Sequence, residues 1–145
     1  MRITTFLACD DIRQEIGNKV TLIGLYENRI RVQVLEPEKL QWPIHMRLAF
    51  YIKTRLDSKS EGVPIRFEFE VVHNGSGIAR ASGKVSRISE TGDINLVVNF
   101  HSIPIPGEGK LNFNLQMMND KGERSTLIPD LTMEISVERK QLTVP

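Results

Sequence analysis

The chain has 145 residues, of which 40% are hydrophobic and 26% charged, with 19 Lys and Arg against 18 Asp and Glu. That length suits one domain and buries roughly 68–70% of the unfolded surface without staples. A formal net charge of +1 gives no electrostatic footprint for a polyanion, which argues against nucleic-acid binding.

The lone cysteine, Cys9, excludes an intramolecular disulfide and fits a reducing compartment. No run approaches the ~20 apolar residues of a membrane span. The segment Phe6-Leu7-Ala8-Cys9 has some likeness to a lipoprotein cleavage box. The apolar stretch after Arg2 is shorter than the roughly 7–15 residues a signal needs, and it carries two threonines. Residues 2–9 are therefore expected to form a first strand, and the protein is expected in the cytoplasm.

The segment Asp10 to Lys19 is too short and too charged for a core helix, so a loop or a single helical turn is expected. Val20 to Tyr26 predicts a strand in which Gly24 marks a bulge or close approach. Glu27-Asn28 is a turn signal, and Arg29 to Leu35 returns as another strand. Pro37 and Pro43 make the next segment a connection, because proline lacks the N–H that a ladder needs.

The clearest pattern follows. Ile44, Met46, Leu48, Phe50 and Ile52 alternate with His45, Arg47, Ala49 and Tyr51. A period of two places alternate side chains on opposite faces of a strand. Residues 44–54 and 65–73 predict two strands, paired as a hairpin across the solvated loop Asp57 to Gly62. Asn74-Gly75 supplies the positive φ angles of a type I′ turn. Ile78 to Ile88, poor in apolar bulk, predicts an edge or bent strand. Ile94 to Ile103 is apolar on both faces at Leu96-Val97-Val98. Residues 109–118 and 123–128 predict a hairpin across Asn119 to Gly122, and residues 131–138 the last strand.

Nine or ten short strands punctuated by Gly, Pro, Asn and Asp predict an all-β fold. An antiparallel β-sandwich, immunoglobulin-like or C2-like, is favoured over a barrel because most strands show one apolar face. A single domain is expected over residues 1–138, with a frayed tail at 139–145. No internal repeat, low-complexity tract or linker divides the chain.

Motifs that carry chemistry are sparse. Asp10, Asp11 and Glu15 are the candidate metal ligands, because clustered loop carboxylates hold hard cations in C2-like domains. Asp57, Asp93, Asp120 and Asp130 also fall in predicted loops. Turn capping by Asp explains such residues without a metal, and it is the reading taken. His45, His73 and His101 lie in or at the ends of different strands, without zinc-ligand spacing. Cys9 abuts Asp10 and Asp11, which disfavour the thiolate. Gly75-Ser76-Gly77 and Gly107-Glu108-Gly109 open no helix, so neither is a phosphate loop; Gly107 and Gly109 are expected to shape a bend or bulge. No catalytic constellation and no cofactor motif emerge.

Partner-binding candidates are Trp42, at a loop–strand junction, and the outward residues Arg47, Tyr51 and Lys53. Aromatic and basic side chains dominate interface hot spots. The same strands present His45, Arg66, Glu68 and Glu70 outward, where opposite charges can pair across strands. A core lid for Trp42 and a solvated sheet face for the others are the structural alternatives. Val72, Val97 and Met118 add apolar area on the outer faces, which would mark an interface if contiguous.

One segment resembles a known pattern. Cys9-Asp10-Asp11-Ile12-Arg13, Glu15, Gly17-Asn18-Lys19 and Leu22-Ile23-Gly24-Leu25-Tyr26 resemble the opening of a family of short bacterial proteins with no established activity. The Gly-Glu-Gly-Lys strand and the Asp-Lys-Gly hairpin are compatible with that family. The resemblance implies a small all-β protein and supplies no catalytic residues. Physically, the segment is expected to be an acidic crossover loop stapling the first two strands.

These observations favour a non-enzymatic module that binds a protein partner or itself, without cofactor, nucleic acid or membrane. The alternatives are a structural or assembly component, as in a phage-derived or secretion-type particle, and a metal-dependent enzyme or calcium-binding domain built on the loop acids.

Overall fold

The computed structural model describes residues 1–17, 19–58, 61–86 and 88–141. Ten strands form two sheets packed face to face. They are β1 (Arg2–Glu15), β2 (Lys19–Tyr26), β3 (Arg29–Val34), β4 (Ile44–Arg55), β5 (Pro64–His73), β6 (Ser76–Lys84), β7 (Asp93–Ile105), β8 (Gly109–Asn119), β9 (Arg124–Leu127) and β10 (Met133–Arg139). One sheet has the order β2-β1-β4-β7. The other has the order β3-β10-β8-β5-β6, with β9 alongside β8. The all-β sandwich expected from alternation is the observed architecture. A single 3-10 turn, Pro37–Lys39, lies in the proline-bounded connection. No helix among the described residues is long and apolar enough to cross a membrane.

Alternation decides which faces meet. Leu48, Phe50 and Ile52 of β4 turn inward, as do Phe69 and Val71 of β5 and Leu111, Phe113, Leu115 and Met117 of β8; all are buried. At the centre, the Phe50 ring lies 4.9 Å from Phe69, 5.1 Å from Phe113 and 5.7 Å from Phe6. Phe6 and Phe50 come from one sheet, and Phe69 and Phe113 from the other, so this cluster joins the two layers.

Four local expectations are corrected. First, residues 44–54 and 65–73 are not a hairpin. β4 pairs with β1 and β7, whereas β5 pairs with β6 and β8. The intervening loop crosses between layers, so each strand buries its apolar face against the other instead of sharing one sheet face. Second, β3 does not return along β2. The turn at Glu27-Asn28 carries the chain to the opposite sheet. Third, the sandwich is not wholly antiparallel, because β3 runs parallel to β10 from Arg29↔Glu134 to Val34↔Arg139. Fourth, Asp10–Glu15 is strand rather than loop, as described below.

Other turns form as the residues require. Asn74 (φ 46°) and Gly75 (φ 86°) both adopt positive φ in the β5–β6 turn, as a type I′ hairpin demands. β8 and β9 pair across Asn119 to Gly122, where Asn119 Oδ1 accepts the N–H groups of Lys121 and Glu123. β6 is an edge strand. β10 ends at Arg139, and the Lys140 N–H donates to the Val34 carbonyl. Of the predicted tail, residues 142–145 lie outside the described residues.

The far end of the β4–β7 ladder carries a charged clamp. Arg55 and Asp93 are register partners, and the guanidinium grips the carboxylate at 2.7 and 3.2 Å. Arg55 holds the Asp93 carboxyl down at about 2, below its ordinary value of 3.8. A depressed native pKa favours the folded state above the unfolded value, and that contribution fades as pH falls through the folded one. We expect the Asp93 carboxyl resonance to titrate near pH 2 by NMR. In an Arg55→Gln variant the midpoint should move up toward the ordinary range, and the acid sensitivity of the unfolding midpoint should weaken.

Candidate functional site

β1 does two jobs. Its first half pairs with β4, from Arg2↔Arg55 to Cys9↔Ala49. Its second half leaves β4 and pairs with β2, from Ala8↔Tyr26 to Glu15↔Lys19. The two strands form a hairpin that closes at Ile16-Gly17, where Gly17 has φ 81°. The neighbouring Asn18, expected to share the turn, lies outside the described residues.

The charged segment forms a strand because its polar side chains find partners across the sheet. Gly24 has φ 69°, and the Asp10 carboxylate occupies the space that a Cβ there would fill. The Tyr26 hydroxyl donates to Asp10 Oδ1. Asp11 accepts from Arg47 at 2.8 Å and has Arg13 Nε at 3.7 Å. Thr21 Oγ1 donates to Glu15 Oε1 at 3.4 Å. Ile12 is buried opposite Leu22, in a second small cluster with Cys9, Ala49, Tyr51 and Val97.

The three candidate carboxylates therefore have different partners. Asp10 turns to Tyr26, Asp11 to Arg47, and Glu15 to Thr21. Among the described residues no group of three His, Cys, Asp or Glu side chains is placed to hold a metal ion. His45 and His73 lie in different sheets. His45 meets Ser102 Oγ at 3.1 Å on the β4–β7 side. His73 sits in the other sheet, where Nε2 donates to the carbonyl oxygens of Gly107 at 2.9 Å and Glu108 at 3.1 Å.

The groups with nucleophilic character are held protonated. Burial pushes the Cys9 thiol up, with the Asp10 and Asp11 charges adding to it. Burial and the Asp10 hydrogen bond push the Tyr26 phenol well above its usual value. At neutral pH both act as hydrogen-bond donors. The Cys9 thiol points to the Ala49 carbonyl at 3.6 Å and the Asp11 carbonyl at 3.4 Å.

Of the four predicted partner-binding residues, Arg47, Tyr51 and Lys53 lie on β4 and Trp42 precedes it. Trp42 packs against the main core and serves as its lid. Arg47 is committed to Asp11. Tyr51 is half-buried in the second cluster, and Lys53 is half-buried on the same strand. Val97 belongs to that second cluster, whereas Val72 and Met118 lie in the other sheet, paired with Asn112 and Arg66 at separate points of the ladder. These three residues form no contiguous patch.

The residues that are exposed and apolar lie elsewhere, on the hairpin. Ile16 is 97% exposed and Leu25 58%, while Val20 and Ile23 are each 38% exposed. All four fall within ten residues of sequence, on β2 or the turn that leads into it. A clue was present in the sequence. Leu22-Ile23 and Leu25-Tyr26 are apolar at consecutive positions, so this strand carries apolar groups on both faces.

A second feature is a groove of about 600 Å³ between Met1–Phe6 of β1 and the segment Thr126–Leu131. It arises because β2 runs beside β1 only from Ala8 onward. Arg2 and Asp130 are among its lining residues, and Arg2 is paired with Asp57 at 2.9 Å.

The acidic pair is expected to be structural. Replacing Asp10 and Asp11 together with alanine frees Tyr26 and Arg47 and should cost about 1–2 kcal/mol in urea unfolding. An unchanged midpoint would remove the structural role.

No curated protein sequence matches this chain. Residues 4–128, which include β2, most of β1 and nine of the ten described strands in whole or part, match the model of a family of unknown function, DUF6941, and the chain belongs to that family.

Proposed function

We propose that the protein is a non-enzymatic interaction module whose contact surface is the β1–β2 hairpin. One observation carries this reading: Ile16, Val20, Ile23 and Leu25 are exposed together on a single supersecondary unit. Apolar groups gathered in one place mark contact sites more often than scattered ones do. Asp10, Asp11 and Glu15 on the hairpin are hydrogen-bonded or ion-paired, and Cys9 and Tyr26 are held protonated, which suits the hairpin to contact rather than proton transfer. The balanced charge fits a protein partner better than a nucleic acid. The single buried cysteine and the resemblance in the Cys9–Tyr26 segment support a setting in the cytoplasm of a bacterium.

The test is a photo-cross-linking amino acid placed at Ile16 in cells, with Asn114, on the outer face of β8, as the comparison position. Protein adducts from Ile16 in excess of those from Asn114 are expected. Equal or absent adducts at Ile16 would overturn the reading.

A further inference from the structure

We infer that the hairpin's partner is a second copy of this chain, joined edge to edge through β2 in an antiparallel ladder centred on Ile23. The inference rests on the reading of the hairpin as a contact surface and names its occupant.

β2 is the terminal strand of its sheet, so one edge lacks a strand neighbour among the described residues. Exposed strand edges invite pairing, and proteins blunt them with charge, proline, bulges or shortness. The other edge strands carry such devices. β3 presents Arg29 and Arg31, β6 presents Arg80 and Lys84, β7 contains Pro104, and β9 is only four residues long and begins at Arg124. β2 has one charge, Lys19, at its start, followed by Val20-Thr21-Leu22-Ile23-Gly24-Leu25-Tyr26. An edge of this composition is built to be covered.

The sequence of the edge is complementary to itself. In a two-fold antiparallel pairing centred on Ile23, Ile23 meets its own counterpart. Thr21 then faces Leu25 of the second copy, Val20 faces Tyr26, and Lys19 faces Glu27. Opposed residues in an antiparallel pair share a face. Exposed Ile23 and Leu25 therefore gain apolar and β-branched neighbours, and a cation meets an anion twice by symmetry. Lys19 and Glu27 are both exposed, and neither has an ion pair among the described residues. Shifting the register by one residue sets Lys19 against Tyr26 and loses both charge pairs.

The positive φ of Gly24 interrupts the strand at a single residue. Pairing with β1 resumes at Leu25 and Tyr26, so the free edge regains its ladder geometry there as well. The contact is isologous and uses up this edge in both copies, which closes the assembly at two rather than extending it. The result is one continuous eight-stranded sheet across the dimer. A ladder of this length buries less area than a standard stable interface, so dissociation constants on the order of micromolar are expected.

The experiment is light scattering coupled to size exclusion across a concentration series, on the unaltered protein and on Lys19→Glu and Glu27→Lys variants. The unaltered chain should pass from monomer to dimer. Each single variant sets like charges in opposition twice and should dimerise about tenfold more weakly or worse. An equimolar mixture of the two variants restores both charge pairs and should recover the dimer, as should the double variant Lys19→Glu/Glu27→Lys. Circular dichroism confirms that each variant is folded. A chain that stays monomeric at every concentration, a dimer indifferent to both reversals, or a mixture that fails to recover would overturn the inference. If the protein is monomeric yet Ile16 cross-links to a different protein, the self-pairing falls and the interaction module stands. If the chain stays monomeric and Ile16 gives no adduct above the comparison position, both fall.

Discussion

Replacing Phe50 with alanine is expected to lower the stability of this protein by about 3–5 kcal/mol. Phe50 is fully buried on β4, and its ring lies within 6.1 Å of four others, those of Phe6, Phe69, Phe100 and Phe113. Two of these belong to the opposite sheet. Truncation removes the transfer free energy of the ring and leaves a cavity between layers that cannot close without moving both sheets. A fall in Tm of roughly 10–15 °C should accompany the loss. Urea unfolding with an unchanged slope would assign the effect to the folded state. A loss under about 1 kcal/mol would mean that the sheets repack around the gap and that this aromatic cluster is not what joins them. Phe50→Leu, which keeps most of the volume, should cost less than half as much.

The second large effect is expected at Gly109. Its φ of 136° lies in a region that residues with a side chain rarely enter. A Cβ there would also come within 2.4–2.8 Å of the Asn74 amide group. That amide accepts the Lys110 N–H at 3.0 Å, so Asn74 ties the β5–β6 turn to the start of β8. Gly109→Ala combines backbone strain with displacement of this tie, and a loss of about 1–3 kcal/mol is expected. At Gly107, two residues earlier, an added Cβ would meet no atom within 4 Å. Gly107→Ala should therefore stay within about 0.5 kcal/mol of the parent. Thermal unfolding of the two variants side by side checks the contrast. Equal effects would mean that the loop readily finds another path into β8.

The two glycines look alike in sequence, as halves of one Gly-x-Gly. Their difference comes from Asn74, which is far away along the chain and adjacent in space. The same division runs through the molecule. Strands β4, β5, β8 and β10 were legible because one apolar face leaves a period of two in the chain itself. The Asn74-Gly75 turn was legible because positive φ is a local demand. β1 beyond Cys9 was not legible, since Asp10, Asp11, Arg13, Gln14 and Glu15 break the apolar rhythm. Those residues extend as a strand because β2 lies alongside and because Tyr26, Arg47 and Thr21 take up their polar groups.

The candidate site shows the same limit more sharply. Tyr51 and Ile23 are both large side chains on strands, yet Tyr51 is half-buried in the second cluster and Ile23 is open to solvent. Local patterning cannot separate them, because exposure depends on which element lies across the face. Asp10, Asp11 and Glu15 are close in sequence, yet alternation and twist send them to different partners.

Residue order alone was sufficient for the class of the fold, the strands with one dry face and the positions of the tight turns, since each follows from a few adjacent residues. Tertiary structure alone settled that β4 and β5 occupy opposite sheets, that β3 lies parallel to β10, and that β2 is the apolar terminal strand of its sheet, with no strand beyond it among the described residues. Those outcomes turn on contacts between residues tens of positions apart. The free energy of such contacts depends on what the rest of the chain has left unpaired, and no local period records it.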